Sequence, residues 1–207
     1  MSTTYIWTVF FMKIRMICWL FAVFAVAFLL FGVENLILQR EIANKTVRLH
    51  VVANSDSQED QAHKLEVRDA VLESVNELTA HCTNAQQAEC VIEKNLQTIA
   101  DAAADVSDET ITVSLGYENF DTRYYETFTL PAGRYRALRV NIGQAQGKNW
   151  WCVVFPSLCT AATGEAVQEC AEAGDFDDAQ QELITGGEEK YTFRFKTLQW
   201  LKDLLGI

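Results

Sequence analysis

Proton transfer and metal binding could draw on only three histidines, His50, His63 and His81. His50, Ser55 and Asp56 are the residue types of a nucleophilic triad, but a triad also needs mutual reach and an oxyanion hole. His50 falls between Leu49 and Val51 in an alternating run, so it points to the non-apolar face of a predicted strand. Ser55 lies in a capping turn, with no separate oxyanion-hole signature. No G-x-S-x-G, H-E-x-x-H, Walker A or G-x-G-x-x-G pattern occurs. His81, Cys82 and Cys90 have the ligand types of a zinc site but lack a fourth ligand at a recognisable spacing. The residues predict no catalytic group, no metal and no cofactor.

Two other concentrations have the chemistry of recognition. Asp60, Lys64 and Arg68 recur at i, i+4 inside the apolar arc of a predicted helix, just beyond Asn54, Ser55 and Asp56. They read either as an ion-pair ladder with snorkelling stems or as a polar docking pocket for a partner at the strand-to-helix junction. The second concentration is Asn119 to Tyr125, with Arg123 and Tyr124, together with Lys148 to Cys152, with Trp150 and Trp151. Neighbouring residues of a strand face opposite ways, so one indole belongs in the core and the other at an edge or surface. An exposed Trp beside Arg and Tyr has the composition of an interface anchor. The competing reading buries both indoles.

The elements that would position these groups follow from periodicity. Val47 to Ala53 alternates as a strand, Ser57 caps a helix running to about Ala80, and a second helix runs from Thr83–Gln86 to about Asp105. Leu65, Val67, Val71, Leu72, Val75 and Leu78 share one side of the first helix. The period then changes to two: Thr110–Leu115, Tyr124–Leu130, Tyr135–Ile142 and Trp150–Phe155 read as strands. The predicted fold is α+β, with an N-terminal membrane helix followed by a helical hairpin packed on one face of a mainly antiparallel sheet.

Met16 to Val33 is an uncharged run preceded by Lys13 and Arg15 and followed by Glu34. Its length approaches the ~20 residues of a bilayer-spanning helix, and the basic flank predicts that the chain after Glu34 lies across the membrane. Ala25-Val26-Ala27 offers a rival reading as a signal-peptide cleavage site, which would release the domain. Met12 is an alternative start to Met1. The expected division is an anchor or signal segment over 1–40, an extracytoplasmic domain over 46–160, an acidic flexible segment over 161–189, and a strand and helix over 190–207. No Lys or Arg occurs between Asn149 and Glu189. Net charge is −11, and every acid lies at or beyond Glu34, which argues against binding nucleic acid. Of six cysteines, Cys18 lies in the apolar run; Cys82 with Cys90 and Cys152 with Cys159 are candidate bridges in an oxidising compartment.

VRLHVVANSDSQEDQAHKLEVRDAV (47–71) closely resembles the opening signature of the stage II sporulation protein R family. PAGRYRALRVNIGQAQGKNWWCVVFPSLC (131–159) resembles its second signature, and KYTFRFKTLQWL (190–201) fits its usual close. The resemblance implies a non-enzymatic signalling protein of endospore formers, made in the forespore and exported across its membrane into the intermembrane space. There it would activate a membrane-embedded aspartic protease that matures the sigma-E precursor. The matching positions in the first motif are Arg48, His50, Asn54, Ser55, Asp56, Asp60, Lys64, Arg68 and Asp69. Phe120, Thr122, Arg123 and Tyr124 match an aromatic-Arg motif, and Gly147, Asn149, Trp150, Trp151 and Cys152 match the second block. An exported hydrolase of the intermembrane space or cell wall is the alternative from a different class.

Overall fold

In the computed structural model, which describes residues 3–160 and 163–185, a 42-residue helix opens the chain, α1 (Thr3–Asn44). No proline interrupts it. It contains a stretch, Met12–Asn44, long and apolar enough to cross a membrane by length and composition. Side chains such as Trp19, Phe21 and Phe24 are exposed along it. Among the described residues, those up to Leu38 form one unit and those from Gln39 onward a second; the second carries the α+β domain.

That domain is built on a four-stranded mixed sheet of order β2-β5-β1-β6, from β1 (Val47–Val52), β2 (Ile111–Phe120), β5 (Gly133–Ile142) and β6 (Asn149–Phe155). Two of its pairings, β2 with β5 and β1 with β6, are antiparallel, while β1 and β5 run parallel at the centre. The parallel pair is possible because a long helical crossover separates the two strands in sequence.

The three helices between β1 and β2 lie on one face. Ser57 caps α2 (Gln58–Thr79), its hydroxyl accepting the Asp60 amide. The α2 core line is Val67, Val71, Val75 and Thr79 at a spacing of four, preceded by the buried Lys64 three residues before Val67. Leu65, expected on the apolar side, is instead among the exposed residues. The predicted second helix is broken into α3 (Ala85–Lys94) and α4 (Leu96–Ala104). Asn95 causes the break: its side-chain amide donates to the Val91 carbonyl at 2.7 Å, competing with the helical ladder. Val47, Leu49, Val51, Leu138, Val140 and Val154 meet these helices in the main core.

The expected strand Tyr124–Leu130 is not one strand. It supplies two short pieces, β3 (Arg123–Tyr124) and β4 (Thr129–Leu130), paired with each other as a separate hairpin. A turn closes it, with the Tyr125 amide donating to the Phe128 carbonyl at 2.8 Å. Over the stretch expected to be acidic and flexible, the chain forms α5 (Gly164–Ala173) and α6 (Asp178–Thr185). Thr163 caps α5, and Val167, Ala171, Leu183 and Ile184 are buried. Apolar residues recurring at helical spacing among the acids outweigh the net charge here, so the charged side chains form the outer face of real helices. The strand and helix expected over 190–207 lie outside the described residues.

Candidate functional site

The strand-to-helix junction is a closed hydrogen-bond network. Asn54 Oδ1 accepts the Gln144 amide at 2.9 Å, and Asp56 Oδ1 accepts the Lys148 amide at 2.7 Å. The backbone of the β5–β6 turn also bonds here: Gln146 N–H donates to the Asn54 carbonyl and Gly147 N–H to the Ala53 carbonyl. Ser55 donates its hydroxyl to Asp60 at 2.5 Å. That bond, with support from Ser57 and Asn54, holds the Asp60 carboxyl below its ordinary range against a smaller opposing effect of desolvation. Lys64 donates to Gln61 at 2.6 Å and to the Lys148 carbonyl at 3.1 Å. Burial is the main cause lowering the pKa of its ammonium.

The ladder reading of Asp60, Lys64 and Arg68 is therefore replaced by three separate attachments. Asp60 belongs to the turn, Lys64 to the backbone of the β6 entry, and Arg68 pairs with Asp69 at 2.6 Å while its guanidinium lies 4.5 Å from the Trp150 ring centroid. Spacing of i, i+4 permits a pair, but each group is engaged by a different partner: Asp60 by the donors Ser55 and Asn54, Lys64 by the Gln61 and Lys148 oxygens, and Arg68 by Asp69.

Asp60 gives the junction an acid limit. A carboxyl with a depressed folded pKa contributes stability that is complete above its unfolded value and lost as pH falls through the folded one. Ser55→Ala removes the main cause of the depression. Melting temperatures of the full chain in detergent between roughly pH 2 and 5, the range around an ordinary Asp, should fall less steeply with acid in Ser55→Ala than in the unsubstituted protein. An equal slope would remove Ser55 as the cause.

The opposite face of the sheet carries the second array. Arg48 and His50 project there from β1, whose six residues are all buried. This corrects the reading of that face as merely non-apolar. Phe120, Tyr135, Ala137 and Ala43 pack over it, with Trp151 at the margin. His50 is held at both ring nitrogens, Nδ1 by Glu118 at 2.7 Å and Nε2 by Asn149 at 2.9 Å, and it stacks on Trp151 at 5.6 Å. Glu118 also meets Arg139 at 3.3 Å. His50 and Ser55 thus serve different networks, and the triad types are not assembled into one.

Arg48 is fully buried. Its guanidinium carbon lies 4.2 Å from the Phe120 centroid and 5.0 Å from that of Tyr135. Nη2 donates to the Tyr125 hydroxyl at 2.7 Å, while Nε and Nη1 have no hydrogen-bond partner among the described residues. Arg123 stacks on Trp151 at 3.7 Å, and its buried Nε likewise has no partner among the described residues. Burial pushes the Tyr125 phenol up, opposed by the charges of Arg48 and Arg123. Burial also pushes the Tyr135 phenol up.

The two indoles part as strand geometry requires. Trp150 is opposite Val51 and exposed, with Arg68 against it; Trp151 is opposite His50 and half-buried. Tyr124 is exposed on the hairpin. Arg48 and Tyr125 are central here, yet only the family resemblance drew attention to Arg48, and Tyr125 entered only as the last residue of the Asn119–Tyr125 segment. An Arg in an alternating strand reads as solvent-facing unless the cover over that face is known.

Cys152 and Cys159 are joined in a disulfide with Cα atoms 6.0 Å apart. The other expected bridge is not formed: Cys82 and Cys90 are both free thiols. Cys90 is exposed on α3 and Cys82 is partly buried in the preceding turn, where burial raises its pKa. Among the described residues no group of His, Cys, Asp and Glu stands where it could hold a metal ion.

A family model described as stage II sporulation protein R matches residues 43–165. The chain is similar to stage II sporulation protein R of Bacillus subtilis (strain 168), 31% identical over 185 residues, covering 79% of this chain and 83% of that protein. No solved structure matches at a significant level.

Proposed function

The chain belongs to the stage II sporulation protein R family, and from that premise we propose that it is an exported sporulation signal which activates a membrane-embedded aspartic protease and so triggers processing of the sigma-E precursor. In this reading α1 anchors the protein in the forespore membrane, or is cleaved to release it, and the domain from Val47 onward works in the intermembrane space. Its output is contact with the protease rather than chemistry of its own. The observation that carries the reading is the family match across the whole of the mixed sheet and its helices.

The partner-binding surface we propose centres on Arg123, Tyr124, Trp150 and Trp151, with Arg68 beside Trp150. Asn54, Ser55, Asp56, Asp60 and Lys64 would set the position of the β6 entry that carries the indoles. Aromatic and Arg side chains supply the large, oriented contacts that dominate such interfaces.

The test is co-expression with the candidate protease and its pro-sigma substrate in a non-sporulating host, together with an alkaline phosphatase fusion after residue 45. The precursor should be shortened only when both proteins are present, and the fusion should be active. An uncleaved precursor with all three proteins expressed would overturn the signalling role. An inactive phosphatase beside an active cytoplasmic reporter would reverse the topology.

A further inference from the structure

We propose that Arg48 and Arg123 form a binding site for a carboxylate, that of an acidic side chain of the partner protein, and that Tyr125 plugs this site in the free protein. The partner rests on the function proposed above; the site itself does not.

The argument begins with an imbalance of charge. A buried ion is ordinarily matched by a counter-charge and full hydrogen bonding. Among the described residues Arg48 has no carboxylate partner, and its only hydrogen bond is to a neutral phenol. Arg123 repeats the pattern with an unpartnered buried Nε, and both guanidinium charges act on the same Tyr125. The nearby acid, Glu118, is committed to His50 and Arg139. Aromatic faces at 4.2, 5.0 and 3.7 Å offset part of the charge but offer nothing to the unpartnered N–H groups.

The phenol oxygen already occupies an acceptor position on the Arg48 fork. A carboxylate there would make charge-assisted bonds, about twice as strong as the neutral one, and can accept two parallel N–H groups from a guanidinium. The cover is built to shift. The hairpin carrying Tyr125 has two rungs, Arg123 with Leu130 and Tyr124 with Thr129, and is a sheet of its own. A cavity of about 340 Å³ lies against it, lined by Tyr125, Glu126, Phe128, Ile184 and Thr185 among others, which leaves space for the hairpin to move.

The experiment uses the full chain in detergent, with sodium acetate as the probe against sodium chloride at equal ionic strength. Tyr125→Phe removes the plugging hydroxyl and leaves Arg48 without an acceptor. It should melt below the unsubstituted protein in chloride, and acetate well above its dissociation constant should return roughly 3 °C or more. Acetate should not move Arg48→Met, which removes the charge. If Arg48→Met does not fold, Arg48→Lys keeps the charge without the fork and should show at most a third of the shift. An absent acetate effect in Tyr125→Phe, or an undiminished one in the Arg48 variant, overturns the site.

The partner is assigned separately, by precursor processing. A folded Arg48 variant with lost acetate response should also lose processing; normal processing in that variant overturns the assignment of the carboxylate to the partner. If the unsubstituted protein triggers no processing at all, the proposed function fails while the acetate result still decides the site.

Discussion

Gly147→Ala is expected to destabilise the α+β domain by about 3 kcal/mol, the upper end of what forced overpacking costs. A Cβ at Gly147 would stand 2.2 Å from the Ser55 carbonyl oxygen, 2.6 Å from its carbon and 2.8 Å from the Ala53 Cβ. Two of these are backbone atoms and the third is a Cβ bonded to the backbone, so no side-chain rotation relieves the clash. Nor can the turn retreat without loss. Gly147 N–H is bonded to the Ala53 carbonyl, Gln146 N–H to that of Asn54, and Lys148 N–H to Asp56. Moving outward breaks all three and releases the β6 entry with Trp150 and Trp151. The melting temperature of the full chain in detergent should fall by roughly 10 °C, at about 2–4 °C per kcal/mol for a domain of this size. Gly164→Ala is the control, since nothing lies within 4 Å of its Cβ position. Equal melting temperatures for Gly147→Ala and Gly164→Ala would show that the junction yields, and the close packing would then carry no weight.

Arg123→Ala should reduce precursor processing by roughly thirtyfold, the equivalent of about 2 kcal/mol of anchor energy, while leaving the fold intact. The fold is expected to survive because Arg123 makes no ion pair among the described residues and its Nε is already unpartnered. Truncation removes a stack on Trp151, and among the described residues no acceptor depends on Arg123 for a hydrogen bond. Trp150→Ala should act in the same direction on the other side of β6, where the indole is exposed and steadied by Arg68. Long-range attraction by the acidic surface is a weaker effect, because exposed charges are screened beyond ~8 Å at physiological salt and act mainly on association rate. Circular dichroism checks the fold, and cleavage of the precursor checks activity. Folded, fully active Arg123→Ala and Trp150→Ala proteins would move the interface elsewhere.

Deleting Glu165 to Gly187 tests a different point. As a flexible acidic stretch it would be dispensable, but α5 and α6 bury Val167, Ala171, Leu183 and Ile184. Loss of those contacts leaves apolar surface uncovered, so inactivity of that deletion would report on folding and not on recognition.

What the sequence determined by itself is local. Alternation placed the strands around Val47, Tyr135 and Trp150, and the Ser57 cap and helical spacing placed α2, because these patterns are dictated by side-chain direction along a single element. The apolar run after Lys13 and Arg15 marked the membrane-length part of α1 by length and composition alone, and two long motifs marked the family. The sequence also required Trp150 and Trp151 to face opposite ways, though not which of them would be covered. Tertiary structure decided that, because the cover comes from elements remote in sequence: the end of α1, Phe120 of β2 and the β3–β4 hairpin. It decided the break at Asn95, where a side-chain amide wins a carbonyl from the helix, and the order in which β1 comes to lie between β5 and β6. Most of all it decided the state of Arg48. Alternation puts that residue on the polar side of a strand, but only the packing of Phe120, Tyr135 and Tyr125 around it makes it a buried cation with two groups that lack a partner among the described residues. Periodicity reports which way a side chain points, whereas burial and satisfaction depend on what the rest of the chain brings to meet it.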